Sequence, residues 1–190
     1  MTLAVALMLL LPTLPVQADA AVLFDRGVIW DAFLSSVTAQ RNLWQSNTRR
    51  ASVAPALVER FQKAGDGLRL LVIGEGSCSD SVSVVPSIAQ LAKLANIELR
   101  IVDREAGRSL LAMHKSPDGR EATPTILLLR GSQVAGAFVE RPAALQDWYL
   151  SNGAGLSQRD RYARKMSWYD WDRGDSAVAE IVALAEKSAR

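Results

Sequence analysis

The stretch Leu68-Arg69-Leu70-Leu71-Val72-Ile73-Gly74 runs directly into Glu75-Gly76-Ser77-Cys78-Ser79-Asp80-Ser81, and its reading decides the fold. The first part is a short aliphatic run closed by glycine, which predicts a buried strand. After Cys78, Val82, Val85, Ile88, Leu91 and Ala92 recur at helical spacing. A helix is therefore expected to start at the cysteine. A thiol at that point faces unpaired backbone N–H groups and the positive end of the helix dipole, and both favour a thiolate. Cys78 is the only cysteine in the chain. It cannot form an internal disulfide, so it works alone, works with a thiol from outside, or is an inert, partly buried side chain.

Working outward, the pattern alternates. Ile97–Val102 predicts a second strand, ending at Asp103, and a short helix is expected from Gly107 to His114. Ser116-Pro117-Asp118-Gly119 is a turn. Thr125–Leu129 and Gln133–Val139 flank Gly131-Ser132 and read as an antiparallel hairpin. A helix is expected from Pro142 to about Leu150. Strand–helix–strand, then a hairpin, then a helix implies an α/β layered domain with a mixed sheet. Upstream, Val28 to Gln45 and Ala51 to Ala64 read as helices separated by a break at Asn47-Thr48, and Gly65-Asp66-Gly67 stops the second. Downstream, Ser151 to Gln158 reads as a loop. Arg159 to Arg190 forms a helical tail whose last segment, Ser176 to Lys187, carries Val178, Ile181, Val182 and Ala185 on one face. Tyr162, Met166, Trp168, Tyr169 and Trp171 precede that segment. Such residues more often cover a core than bind a ligand.

Composition sets the outer limits. The chain has 190 residues, 49% of them hydrophobic, enough for one packed domain with flanking segments. With 22 basic and 20 acidic residues the formal net charge is +2, which leaves no footprint for nucleic acid. One Cys and one His cannot supply a structural zinc site, and no cofactor is expected. The apolar run Leu3 to Leu11 is too short to span a bilayer, and Ala18-Asp19-Ala20 has the small-x-small form of a signal-peptidase site. Residues 1–20 are therefore read as a signal peptide that lacks a basic n-region, with a periplasmic or secreted location and a cytoplasmic one as the alternative. The remaining divisions are an N-terminal helical segment at 21–67, a core at 68–152 and a C-terminal helical extension at 153–190.

From Leu68 to Asn152 the chain resembles the thioredoxin superfamily. Cys78-Ser79-Asp80-Ser81 stands where that family places its two-cysteine redox motif, directly after a central strand. Pro86 falls where thioredoxins carry the proline that kinks the active-site helix. Thr123-Pro124-Thr125, followed by Ile126-Leu127-Leu128-Leu129, is similar to the family's cis-proline loop and next strand. The flanks are similar to a bacterial single-cysteine subfamily whose usual motif is Trp-Cys-Gly-Asp, here Ser77-Cys78-Ser79-Asp80. The resemblance implies a thioredoxin-like fold: a central mixed β-sheet flanked by helices, with extra N-terminal helices and a C-terminal helical tail. It also implies that Thr123 and Pro124 clamp an extended substrate segment, which would pair with the Thr123 backbone as an added strand. The chain departs from the family at several positions. Ser81 replaces the resolving cysteine and Ser77 the tryptophan before the nucleophile. Val72 replaces a buried aspartate, and Glu140 replaces a glycine expected near the end of the hairpin.

These departures put a self-contained dithiol cycle out of reach. Cys78 can attack a disulfide, but a Ser81 hydroxyl cannot displace the resulting mixed disulfide. The expected activity is monothiol disulfide exchange or isomerisation, with a protein or small-molecule thiol or disulfide as partner. The alternative is a redox-inactive module that binds a peptide or protein in the groove near Pro124. Asp80 has two readings: a like charge that opposes the Cys78 thiolate, or a favourable charge in the first turn of a helix. His114 could in principle activate a thiol, but its place at a helix end argues for a role in satisfying the helix dipole. Gly74-Glu75-Gly76 with Asp103 partly mimics a dinucleotide fingerprint. Ser79 occupies the third glycine position, and the third strand leads into a hairpin, so that reading fails. One exposed thiol also permits a disulfide-linked dimer.

Overall fold

The computed structural model describes residues 20–190. Apart from Ala20, the residues read as a signal peptide lie outside that range. The elements in chain order are α1 (Ala20–Arg26), β1 (Val28–Ile29), α2 (Trp30–Ser36), α3 (Arg41–Arg50), α4 (Pro55–Ala64), β2 (Leu68–Ile73), α5 (Ser79–Ala95), β3 (Glu98–Val102), α6 (Arg108–Met113), β4 (Thr125–Arg130), β5 (Gln133–Val139), α7 (Ala143–Asn152), a 3₁₀ turn (Gly153–Gly155), α8 (Gln158–Asp172) and α9 (Asp175–Ser188). The sheet has the order β1-β3-β2-β4-β5. Strands β2 and β3 are parallel, with Val72 opposite Ile101, and the β2–β4, β4–β5 and β1–β3 pairs are antiparallel. This is the mixed α/β sheet that the strand–helix–strand–hairpin pattern implies.

The central strands read as near-continuous apolar runs, broken in β2 only by the half-buried Arg69, because both of their faces are covered. Side chains alternate across a strand, and here the two sets enter two cores. Leu68, Leu70 and Val72 of β2, with Ile126 and Leu128 of β4, join the core formed with α3, α4, α5 and α9. Leu71 and Ile73, with Leu127 and Leu129, join the opposite core, which α1 closes with Ala20, Leu23 and Phe24 and α6 closes with Leu110 and Leu111. Burial on both faces explains why no polar alternation marks β2 or β4.

The N-terminal segment differs from its sequence reading. Val28 and Ile29 form an edge strand on β3, and α2 begins only at Trp30. The break expected at Asn47-Thr48 falls instead at residues 37–40, where Gln40 adopts a left-handed conformation with φ 53°. Asn47 and Thr48 lie inside α3, because Asn47 has a structural task there. Pro86 sits inside α5 and has no N–H to offer the carbonyl four residues back. The Asn47 side-chain amide supplies that bond instead, donating from Nδ2 to the Val82 carbonyl at 2.8 Å. Asn47→Ala should therefore cost about 1–2 kcal/mol by urea denaturation. The cost should shrink in a Pro86→Ala background, where the backbone regains its own donor. An undiminished penalty in that double mutant would mean that Asn47 does not act through Val82.

The tail is two helices rather than a loop followed by one. Residues expected as loop become the end of α7 and a 3₁₀ turn, and Ser157 caps α8 by accepting from Asp160 N at 3.1 Å. Gly174 joins α8 to α9 at φ +92°, where a Cβ would lie 2.2 Å from Ser87 Oγ, so only glycine fits. Helix α9 buries Val178, Ile181, Val182 and Ala185, the stripe read from the sequence. The aromatics of α8 divide: Tyr169 is buried and Met166 and Trp168 pack against the core, whereas Trp171 stays 78% exposed. Among the described residues, no helix is long and apolar enough to cross a membrane.

Candidate active site

Cys78 is the N-cap residue of α5, with extended backbone angles (φ −79°, ψ 121°). Its half-buried sulfur accepts a hydrogen bond from the Ser81 amide at 3.4 Å. The same thiol donates to the Thr123 carbonyl at 3.1 Å. One contact favours a thiolate, because an N–H at a helix start stabilises negative charge. The other is available only to the protonated thiol, because a carbonyl accepts and cannot donate.

The loop before Cys78 is held by the N-terminal helices. Trp44 Nε1 on α3 donates to the Gly76 carbonyl at 2.9 Å, and Gln40 Nε2 donates to the Ser77 carbonyl at 2.7 Å. A side chain at Gly76 would lie 2.6 Å from Val37 Cγ2, so the glycine lets the loop approach this segment closely. On the other flank, Thr123 Oγ1 donates to Glu75 Oε2 at 3.2 Å. The Arg104 guanidinium lies 3.9 Å from the same carboxylate. The Thr123–Pro124 peptide bond is cis. Both residues are buried, and the Pro124 carbonyl accepts from Glu140 N at 2.7 Å.

The site residues read from the sequence thus occupy one end of the sheet, with Cys78 and Thr123 in direct contact. Ser81 is fully buried, and its hydroxyl has no hydrogen-bond partner among the described residues. Ser79 Oγ accepts from Lys165 Nζ at 2.8 Å. Asp80 stands in the first turn of α5, as one reading has it, but its charge is paired. It is buried, at 5% exposure, and accepts from Lys165 Nζ at 2.7 Å and from the Tyr169 hydroxyl at 2.7 Å. Arg141 Nε lies 3.8 Å from it. Burial pushes the Tyr169 phenol well above its ordinary range, and the Asp80 charge adds to the effect. Tyr169 therefore remains a hydrogen-bond donor. Glu140 is buried at φ +67°, which accounts for the glycine expected there. Its carboxylate pairs with Arg141 and, at 2.8 Å, with Arg120 Nη2. Lys165 and Arg141 have no signal of their own in the sequence, and Tyr169 reads there only as a core-covering aromatic.

The remaining candidates serve the scaffold. Asp103 Oδ1 accepts from Ala106 N at 2.8 Å and orders the turn before α6. His114 ends α6, where its backbone N–H donates to the Leu110 carbonyl; its Nε2 has no hydrogen-bond partner among the described residues, and burial pushes its imidazole below its ordinary value, which disfavours the charged form a helix end would attract. Among the described residues no group of three His, Cys, Asp or Glu side chains could hold a metal ion. A cleft of about 1560 Å³ opens beside the loop, bordered by Phe33, Val37, Gly76, Ser77, Arg104 and Ser109.

Helix-flanked mixed sheet, N-cap cysteine and facing cis-proline loop together define a thioredoxin-like protein. A family profile described as Thioredoxin matches residues 27–162, and the chain belongs to that family. Among solved structures, a protein of unknown function from Pseudomonas aeruginosa is similar at 27% identity, with a TM-score of 0.69, covering 89% of this chain and 98% of that one. An HIV epitope-scaffold is similar at 26% identity and a TM-score of 0.68, with the same coverage. No curated protein matches the chain.

Proposed function

We propose that this chain is a monothiol thiol–disulfide oxidoreductase or isomerase that uses Cys78 as its nucleophile and an external thiol for resolution. The observation that carries this reading is the Cys78 sulfur at the start of α5, 3.4 Å from the Ser81 amide and 3.1 Å from the Thr123 carbonyl. In the first step the Cys78 thiolate attacks one sulfur of a substrate disulfide. A Cys78–substrate disulfide forms and the second substrate sulfur leaves as a thiolate. In the second step a thiolate attacks the substrate sulfur and frees Cys78. If that thiolate belongs to the substrate, the outcome is isomerisation. If it belongs to a small molecule, two such thiols reduce one substrate disulfide and become a disulfide themselves.

Thr123 has a part in this cycle. Loss of the Cys78 proton breaks the hydrogen bond to the Thr123 carbonyl, because only the thiol can donate. The carbonyl is then free to accept an N–H from an extended substrate, with Pro124 bordering the segment. Cys78→Ala should reduce glutathione-dependent exchange of a mixed-disulfide peptide to the uncatalysed rate. Full retention of activity would remove Cys78 from the mechanism. The second reading, a redox-inactive module that binds a peptide or protein in the groove near Pro124, is supported by the absence of a second thiol at Ser81. It predicts no exchange in the wild type and unchanged peptide binding in Cys78→Ser.

A further inference from the structure

Beneath the first turn of α5 lies a charge cluster that the exchange cycle does not use. Asp80 and Lys165 are each only 5% exposed. Lys165 Nζ bridges Asp80 Oδ2 at 2.7 Å and Ser79 Oγ at 2.8 Å, so it binds both residues that directly follow the cysteine. Tyr169 holds the other carboxylate oxygen at 2.7 Å. Lys165 and Tyr169 stand on α8, beyond residue 162, where the family match ends. The C-terminal extension thus reaches back to the helix that carries the nucleophile.

We infer that Lys165 is a positioning residue for Cys78: by neutralising Asp80 at contact distance, it leaves the start of α5 able to hold a thiolate. This rests on the reading of Cys78 as a nucleophile and adds the device that sets its reactivity. An unbalanced carboxylate in the same helical turn would oppose the thiolate. The groups around the thiol form a nearly balanced set. Asp80 on α5 meets Lys165 and the neutral Tyr169 on α8. Arg141, after β5, pairs with Glu140 and also faces Asp80 at 3.8 Å, and Arg120 pairs with Glu140 and Asp118. Glu75, before the cysteine, has Arg104 nearby and the Thr123 hydroxyl as donor. Within this set Lys165 is the cation that hydrogen-bonds both Asp80 and the residue next to Cys78, whereas Arg141 Nε stands 3.8 Å from the carboxylate.

The test is the pH profile of Cys78 alkylation by iodoacetamide, measured on the full chain with folding checked by circular dichroism. In Lys165→Met the half-labelling pH should rise by about one unit, a tenfold loss of rate below it. In Asp80→Asn it should fall by a similar amount. The double variant should return toward the wild type, and Lys165→Arg should retain the wild-type profile. A merely structural clamp would loosen the site in both single variants and shift labelling the same way in each, which would overturn the inference. Unchanged profiles in both single variants would also overturn it. If Lys165→Met does not fold, Asp80→Asn is compared with the double variant, where loss of the lysine should still raise the half-labelling pH, and no rise there would overturn the inference. A wild-type thiol that labels only after unfolding would defeat the nucleophile reading and this inference together. Rapid wild-type labelling with unshifted variants would defeat this inference alone.

Discussion

On the proposed monothiol reading, Ser81→Cys should convert this protein into a dithiol enzyme. Under mild oxidation the variant should lose two hydrogens in intact mass without forming a disulfide-linked dimer, and its disulfide-reductase turnover should rise about tenfold or more above the wild type. The expectation follows from where Ser81 stands. It is one helical turn beyond Cys78, and its amide already lies 3.4 Å from the sulfur. Its side chain is fully buried, and the hydroxyl has no partner among the described residues. An unpaired buried hydroxyl costs about 1–3 kcal/mol. A thiol is a weaker polar group and behaves as a small hydrophobe, so the substitution should not lower stability. What it adds is the second nucleophile: the introduced thiol could attack the Cys78–substrate disulfide and release the reduced product, the step a serine cannot perform. Turnover should still fall short of a complete dithiol enzyme. Val72 on β2 is fully buried and carries no proton acceptor where thioredoxins place an aspartate, so the second thiol would ionise without help. Mixed disulfides that accumulate unresolved in Ser81→Cys would mean that the geometry of the first turn, not the missing sulfur, blocks the cycle.

The contrast between Val72 and Asp80 shows how much of the site a sequence can carry. Cys78 is legible from local structure, where a strand ends and a helix starts, and Pro86, Thr123 and Pro124 are legible only through the resemblance to thioredoxins. Glu140 was legible as a glycine position and proves to need a positive φ. The partners of Asp80 were not legible. Lys165 and Tyr169 are 85 and 89 residues away, and their contacts depend on how α8 folds back. The clue lay in α5 itself, which is buried along most of its length. A carboxylate in such a helix must find a cation or a donor, but nothing local says which. The strand Val28–Ile29 failed for a related reason. Two apolar residues before Trp30 continue a helical pattern equally well, and only the exposed edge of β3 makes them a strand. Asn47 reads as a break because its task, replacing the N–H that Pro86 lacks, belongs to another helix.

The largest loss of stability from a single side chain is expected at Trp44, and it should reach the site as well as the core. Trp44 is 1% exposed and packs edge-on against Phe33, with ring centroids 5.1 Å apart. Trp30 lies 6.1 Å away and completes an aromatic cluster between α2 and α3. Truncating a buried tryptophan to alanine removes its transfer free energy and leaves a cavity, together costing about 3–5 kcal/mol. In a domain of this size that corresponds to a melting temperature lower by roughly 6–20 °C. The indole has a second task, since its Nε1 holds the Gly76 carbonyl at 2.9 Å. Trp44→Phe separates the two. It keeps an aromatic ring in the cluster and removes the donor, so it should cost less than the alanine variant yet still free the loop that leads to Cys78. Cys78 labelling in Trp44→Phe should then become faster at every pH, without the shift in half-labelling pH expected of the charge variants. Guanidinium denaturation would give the stability difference, and amide hydrogen exchange at residues 75–77 would report the loop. A Trp44→Phe protein with wild-type exchange at those amides would show that Gln40, whose amide holds the Ser77 carbonyl at 2.7 Å, suffices to fix the approach to the cysteine.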